Sequence, residues 1–293
     1  MSDAHHRKGL ICVFLAACFF SLSTPLAKPL VGTISPLLLA GLFYFGSGLG
    51  AAILAVFAPK SMKYDEISLN KDDAIWMLGS IIFGAILAPP LVLIGLKSIP
   101  ASDASLLLNF EMVFTILVAW VVFHEQLNRK FAVGAFAVFM GSLFITWNGF
   151  ETISNLGGTL AIVVACFCWG FDNNFIRKIS VRNPFQVAGL RGVAAGVVNL
   201  LLSLLFSAPW TIQWVFVGLM IGIFCYGFSN VLWVLALRYL GGARAAAYYS
   251  SAPFIGAVFS ILLLHDSVTI FLVGASVSMG LGVIALSTER SSK

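Results

Sequence analysis

Charge is scarce in this sequence. Of 293 residues only 17 are Lys or Arg and 12 are Asp or Glu, while 60% are hydrophobic. A soluble globular chain carries about 25% charge. Soluble helices also need a polar face, and most of these segments have none, so a large soluble helical core is excluded. Cysteine is sparse as well: Cys12, Cys18, Cys166, Cys168 and Cys225 all sit in apolar stretches and read as small hydrophobes. Cys166-x-Cys168 points to opposite sides of a helix, and His5-His6, His124 and His265 have no clustered ligands, so no metal site is expected. The chain lacks a Gly-rich phosphate loop, a nucleotide-binding cassette and a Ser-His-Asp arrangement. It therefore reads as neither an ATP-driven pump nor an enzyme, and no cofactor is expected.

What is present is apolar sequence at membrane-spanning length. Mean hydropathy is +0.99, and a spanning helix needs roughly 20 apolar residues. Ten spans are expected, at about 9–31, 36–58, 74–96, 101–123, 130–148, 157–177, 184–207, 211–236, 243–264 and 268–287. The first has no small-residue cleavage site and is expected to be retained. The basic residues fix a topology. Ten spans put both termini on one side, and 14 of the 17 Lys and Arg fall on that side. Lys28 and Lys97 fall on the other, and Arg191 lies within a span. Cytoplasmic loops carry excess Lys and Arg, so both termini are expected in the cytoplasm. The net charge of +5 then follows from topology and requires no nucleic-acid partner.

A repeat organises these spans. Leu96–Trp147 and Leu237–Thr288 align without a gap at an offset of 141 residues. Lys97 falls on Arg238, His124-Glu125 on His265-Asp266, and Gly141 on Gly282. Pro36-x4-Gly41-Leu42 similarly matches Pro184-x4-Gly189-Leu190. Five spans per half is an odd number, so the second half is expected upside down relative to the first. The expected fold is an all-α integral membrane protein of ten transmembrane helices, built as two inverted five-helix repeats over residues 1–150 and 151–293. Inverted repeats of this kind underlie alternating-access transport, with the solute site between the halves.

Asn109-Phe110-Glu111-Met112-Val113-Phe114-Thr115, running on to Phe123-His124-Glu125 and a Gly-containing fifth span, resembles the drug/metabolite transporter superfamily. Within it, the chain is similar to the EamA-like ten-helix bacterial permeases. Trp169-Gly170 in span six also fits. The chain departs from the family pattern where Met112 replaces a usual Pro and His124 a usual Gly, and where Ala252-Pro253 lacks the acid. The resemblance implies export of amino acids or other small metabolites across the bacterial inner membrane. It also implies a central cavity lined by spans one to four and six to nine, with spans five and ten peripheral.

Charge inside a span is costly, at about 2.5–3.5 kcal/mol per residue on insertion scales, and therefore points to function. Glu111 lies midway along span four, Asp172 in the inner part of span six, and Arg191 in span seven. They could hold the ends of a zwitterionic or polar solute, and Glu111 is also a candidate for proton coupling. Alternatively, Glu111 or Asp172 pairs with Arg191 and locks helices together. Trp169, Tyr226, Ser229, Asn230, Trp233, Tyr248 and Tyr249 form a second candidate substrate-binding group. Tyr226, Ser229, Asn230 and Trp233 recur at i, i+3, i+4 and i+7, one helix face. Trp147, Trp210 and Trp214 fit an interfacial belt better. Pro25, Pro89 and Pro90 interrupt the backbone ladder and should leave free carbonyls; they read as gating kinks or as packing kinks. Gly46-x3-Gly50, Gly192-x3-Gly196 and Gly218-x3-Gly222 allow close helix approach, within a monomer or across a weak dimer. The leading expectation is a secondary transporter whose partners are a small solute, protons as a candidate coupling ion, and the surrounding lipid. A multidrug or organic-cation exporter and a lipid flippase are the alternatives. A lone membrane acid would favour cations, and an acid together with Arg191 would favour zwitterions.

Overall fold

The computed structural model describes residues 3–57, 67–124, 129–148, 153–205, 212–240, 245 and 248–290. Trp210, the Ala208-Pro209 turn, Glu125 and Arg244 lie outside the described residues. In a bilayer every backbone polar group must be satisfied within its own segment, so apolar runs become helices. Among the described residues, seven helical stretches are long and apolar enough to cross a membrane: His6–Ala27, Pro36–Phe57, Lys71–Ser98, Ala101–Val121, Leu156–Ile179, Pro184–Leu205 and Ile212–Leu240. Three shorter apolar helices, Ala132–Phe144, Ala252–Leu264 and Ile270–Ala285, stand where spans five, nine and ten are expected. No strand occurs among the described residues; Ile67 and Arg182 form an isolated β-bridge.

Several of these stretches are broken. α1 (Asp3–Ser21) is followed, after a turn at Leu22, by α2 (Ser23–Ala27), and α3 is Pro36–Phe57. The third stretch comprises α4 (Ala74–Gly79), a π-helical segment Ser80–Leu87 and α5 (Ala88–Ser98). The fourth divides into α6 (Ala101–Leu107) and α7 (Phe110–Val121). α8 (Arg129–Asn148), α9 (Ile153–Ile179) and α10 (Pro184–Leu205) follow without interruption. Next come α11 (Ile212–Ile221), a second π segment Gly222–Phe228 and α12 (Ser229–Leu240). The chain closes with α13 (Ala252–Leu264) and α14 (Ile270–Arg290).

The breaks have local causes. At Leu108-Asn109 the backbone tightens into i→i+3 bonds, Leu108 N–H to Ser105 O at 3.2 Å and Asn109 N–H to Leu106 O at 3.0 Å. The Asn109 side chain adds a 2.7 Å bond to the Leu106 carbonyl. In the first π segment Ala88 N–H bonds to the Phe83 carbonyl, and Pro89 has no N–H to offer. The Gly84 and Ala85 carbonyls are thereby released. Gly84 O accepts from Tyr44 Oη at 2.8 Å and from Trp169 Nε1 at 2.9 Å, and Ala85 O accepts from Asn199 at 3.2 Å.

These irregularities recur at the sequence offset. Shifted by 141, Ser80–Leu87 becomes 221–228, and the second π segment is Gly222–Phe228. Among the described residues, the only non-glycine positions with positive φ are His124 at 55° and His265 at 56°. Each lies just past the end of an apolar helix, in the left-handed conformation that favours glycine.

Packing is antiparallel for the closest helix pairs. α3 crosses α10 with Gly48 beside Val193 and Gly196 beside Phe45, and α8 crosses α14 with Gly141 beside Met279 and Gly282 beside Gly134. Gly46 and Gly50 abut the backbone around Gly222 and Gly227, so all three small-residue pairs are internal contacts. One end of the bundle gathers Arg182 on Asp73 at 2.9 Å, Arg238 on the Arg182 carbonyl at 3.0 Å, and Lys178 over the Phe123 ring at 5.2 Å. Gly9, near the start of α1, packs on Leu240 at the same end. The opposite end has Lys28 Nζ donating to the Leu96 and Ile99 carbonyls at 2.7 and 2.6 Å, and Asp266 accepting from Ser102 N–H at 2.8 Å.

Candidate functional site

Two adjoining compartments lie in the interior, of about 80 and 50 Å³. Phe20, Glu111, Asn173, Trp233 and Tyr249 line both. The larger compartment reaches past the break at Leu108-Asn109 and the turn at Ser250-Ser251, just before α13, toward Arg177 and Leu237, next to Lys178 and Arg238 of the basic end. The smaller runs to Tyr44, Trp169, Asp172, Arg191, Tyr226 and Asn230.

Glu111 stands in the first turn of α7, immediately after the break. Its Oε1 accepts a 2.7 Å bond from Asn173 Nδ2, which also reaches Thr115 Oγ1 at 3.1 Å. Asp172 and Arg191 are both buried and form an ion pair with each other. Ser80 Oγ donates to Asp172 Oδ1 at 2.5 Å, and the guanidinium lies 5.8 Å from the Tyr44 ring. Gly84 carries the pair: a Cβ there would overlap both the Asp172 carboxylate and Arg191. Of the two arrangements open in the sequence, Arg191 is engaged by Asp172, and among the described residues no Lys or Arg forms an ion pair with Glu111.

The aromatic candidates divide. Tyr226 stacks on Phe43 at 5.3 Å and meets Phe20 at 5.8 Å, while Trp233 and Tyr249 are 4.5 Å apart; all of these face the compartments or their wall. Asn230 donates to Ser47 Oγ at 3.3 Å. The Ser229 hydroxyl bonds the Ala16 carbonyl at 2.9 Å, tying α12 to α1, and also lies within hydrogen-bonding reach of Tyr249. Tyr248 lies on the outer surface against Phe14, 5.9 Å between rings, both partly exposed. Pro25 is buried in α2, just after the Leu22 turn, and Pro89 and Pro90 open α5. Trp214 packs against the main core.

Sequence reasoning did not place Tyr44, Ser80, Thr115 or Asn173 at the site. A single phenol in the apolar run of α3 gave no periodic signal. Asn173 was visible only as a polar neighbour of Asp172.

A membrane-embedded cavity at helix breaks, with charged and aromatic walls, defines a solute-carrying membrane protein. The sequence matches the EamA-like transporter family over residues 7–147 and again over 156–288, and the chain belongs to that family. It is a multi-pass membrane transporter, not an enzyme. It is 25% identical over 295 residues to an uncharacterized transporter of Methanothermobacter thermautotrophicus, covering 95% of this chain and 85% of that protein. It is also 25% identical to the uncharacterized transporter YyaM of Bacillus subtilis, covering 89% and 88%. A protein of known crystal structure, 18% identical, superposes over 100% of both chains with a TM-score of 0.67, a likeness of fold.

Proposed function

We propose that this transporter moves small amine-bearing metabolites, amino acids among them, by alternating access of two inverted five-helix halves, residues 1–150 and 151–293. The repeated π segments and the paired left-handed His124 and His265 support the duplication. The gathering of Lys178, Arg182 and Arg238 at one end supports ten crossings with cytoplasmic termini in a bacterial inner membrane. With Asp266 on Ser102 at the other end, and Gly256 packed against Ser105 deeper beneath it, the described state is closed on that outer side.

The observation that carries the substrate reading is Glu111: a carboxylate in the cavity wall without a cationic partner, beside an aromatic lining suited to cations. Because Arg191 is already engaged by Asp172, a second reading, export of organic cations lacking a carboxylate, is favoured by the same geometry. Proton coupling through Glu111 belongs to either reading.

Purified protein in liposomes should exchange radiolabelled amines without ATP. Phenylalanine and 2-phenylethylamine differ only in the carboxylate. Movement of both supports the amino-acid reading, and movement of the amine alone supports the cation reading. Glu111→Gln should suppress transport while leaving expression intact. Wild-type rates in that variant would refute the site.

A further inference from the structure

The cavity contains two acids held in different ways. Asp172 is closed by a buried guanidinium, whereas Glu111 is held by a neutral amide. That amide comes from the opposite half of the chain, across the seam between α9 and α7. Gly170 makes the seam tight: a Cβ there would lie 2.8 Å from the Phe114 backbone, so short side chains on α9 can bridge to α7. Asn174 Nδ2 grips the Thr115 carbonyl at 2.9 Å and its own Gly170 carbonyl at 2.8 Å. Thr115 Oγ1 in turn donates to the Glu111 carbonyl at 2.7 Å, and Asn173 Nδ2 reaches both the Glu111 carboxylate and Thr115 Oγ1. Asn174 thus fastens backbone, while Asn173 fastens the carboxylate itself and lines both compartments.

We infer that Asn173 is the positioning residue of the transport site: its amide fixes the Glu111 carboxylate toward the cavity without neutralising it, leaving its charge for the solute's ammonium group. A carboxylate offers about four acceptor directions, so one amide bond leaves room for an incoming cation. A Lys or Arg in place of Asn173 would close Glu111 as Arg191 closes Asp172. This inference rests on the reading of Glu111 as the counter-charge for an amine.

The test uses the full chain in liposomes, with 2-phenylethylamine as the probe and rates normalised to folded protein. Asn173→Ala should raise KM about tenfold with Vmax within about twofold, as loss of a charge-assisted hydrogen bond in ground-state binding does. Asn173→Leu, which keeps the volume, should behave the same, and Asn173→Gln should recover much of the lost affinity. Unchanged KM in Asn173→Ala, or failure of the Ala and Leu variants to fold while Gln restores only folding, would assign the residue to the seam alone and overturn the inference. The two failures separate cleanly. If Glu111→Gln raises KM and Asn173→Ala does not, positioning fails and the site stands. If neither variant changes KM, or wild type does not carry the amine, the site reading fails and the inference with it.

Discussion

Asp172→Asn isolates the contribution of the buried ion pair. The substitution keeps an acceptor for Ser80 but leaves the Arg191 guanidinium, 8% exposed, without a counter-charge. Arg191 Nε already lacks a hydrogen-bond partner, and the nearest support left to the cation is the Tyr44 face at 5.8 Å, with the Glu111 carboxylate farther off across the same compartment. Breaking a buried pair from one side costs about 3–5 kcal/mol. A desolvated cation–π contact returns up to about 2, so the lower end of that range is expected. Removing both charges with Asp172→Asn/Arg191→Leu should recover most of the loss, since apolar replacement of a buried pair is often near neutral. With the Arg191→Leu single variant completing the cycle, the coupling should be at least about 3 kcal/mol. All five cysteines are free and four are buried, so a thiol-reactive fluorogenic dye reports unfolding in detergent without a new label. Additive losses in the double variant would refute the lock. The folded double variant also bears on the substrate: selective loss of phenylalanine movement would mean that Arg191 receives a solute carboxylate.

Gly84→Ala should destabilise by about 1–3 kcal/mol, as overpacking does, because its Cβ meets the ion pair; the same dye assay checks this. His265→Gly should stabilise by about 1 kcal/mol by relieving a left-handed L-residue, whereas His265→Val should destabilise; denaturation midpoints read the sign. In a background whose native cysteines are replaced, Ser105→Cys with Gly256→Cys should crosslink when oxidised, because the two Cβ positions, 3.2 Å apart, need part only slightly to reach the roughly 3.5–4.5 Å of a disulfide. The crosslink should halt transport until a reductant is added; full transport in the oxidised protein would refute closure at this end as a moving step.

Long apolar runs made the helical stretches legible, and the Lys and Arg pattern anticipated which loops meet at the Arg182–Asp73 end. Pro89 and Pro90 announced freed carbonyls, which proved to be Gly84 and Ala85, with Trp169 among their donors. The second π segment was not legible, because no proline follows it as Pro89 and Pro90 follow the first. Its neighbourhood is set by backbone approach of Gly46 and Gly50 to Gly222 and Gly227, a tertiary effect. The break at Leu108-Asn109 was hidden for the same reason: Met112 stands where a proline would have signalled it, and Asn109 makes the turn through its side chain. Helical spacing placed Ser229 on the same face as Tyr226 and Trp233. Spacing did not show that Ser229, one residue past the π segment, also ties α12 to α1 through the Ala16 carbonyl. The alternatives for Arg191 could not be separated in sequence, because Asp172 and Glu111 lie on different helices and only packing sets which one it meets.

The distribution of polar contacts argues for where the molecule bends. Bonds between the two halves in the interior are buried: Trp169 on Gly84, Asn199 on Ala85, Ser229 on Ala16 and Ser21 on Ala252. Trp169 and Asn199 serve carbonyls freed by the π segment, which unpaired in an apolar interior would cost about 1–3 kcal/mol apiece, while Ser229 and Ser21 add second bonds to helical carbonyls. Among the described residues, the inter-half contacts at the ends are the Arg182–Asp73 ion pair, Lys178 over the Trp76 and Phe123 rings, and hydrogen bonds from Asn183 N–H to the Ile67 carbonyl, Leu69 N–H to Gln186 Oε1 and Gln186 Nε2 to Ser68 Oγ at one end, with Ser102 N–H to Asp266 at the other. Contacts of that kind contribute about 0–1.5 kcal/mol each, and water can replace the exposed ones when they part. A rocking motion that keeps the interior bonds as its fulcrum and exchanges the end contacts therefore meets only a small difference between states. Such a difference lies within reach of the binding energy of one solute, which shifts the balance only by its differential affinity. Rocking about the ends instead would have to break the interior set in every cycle, with no water at hand to replace those bonds.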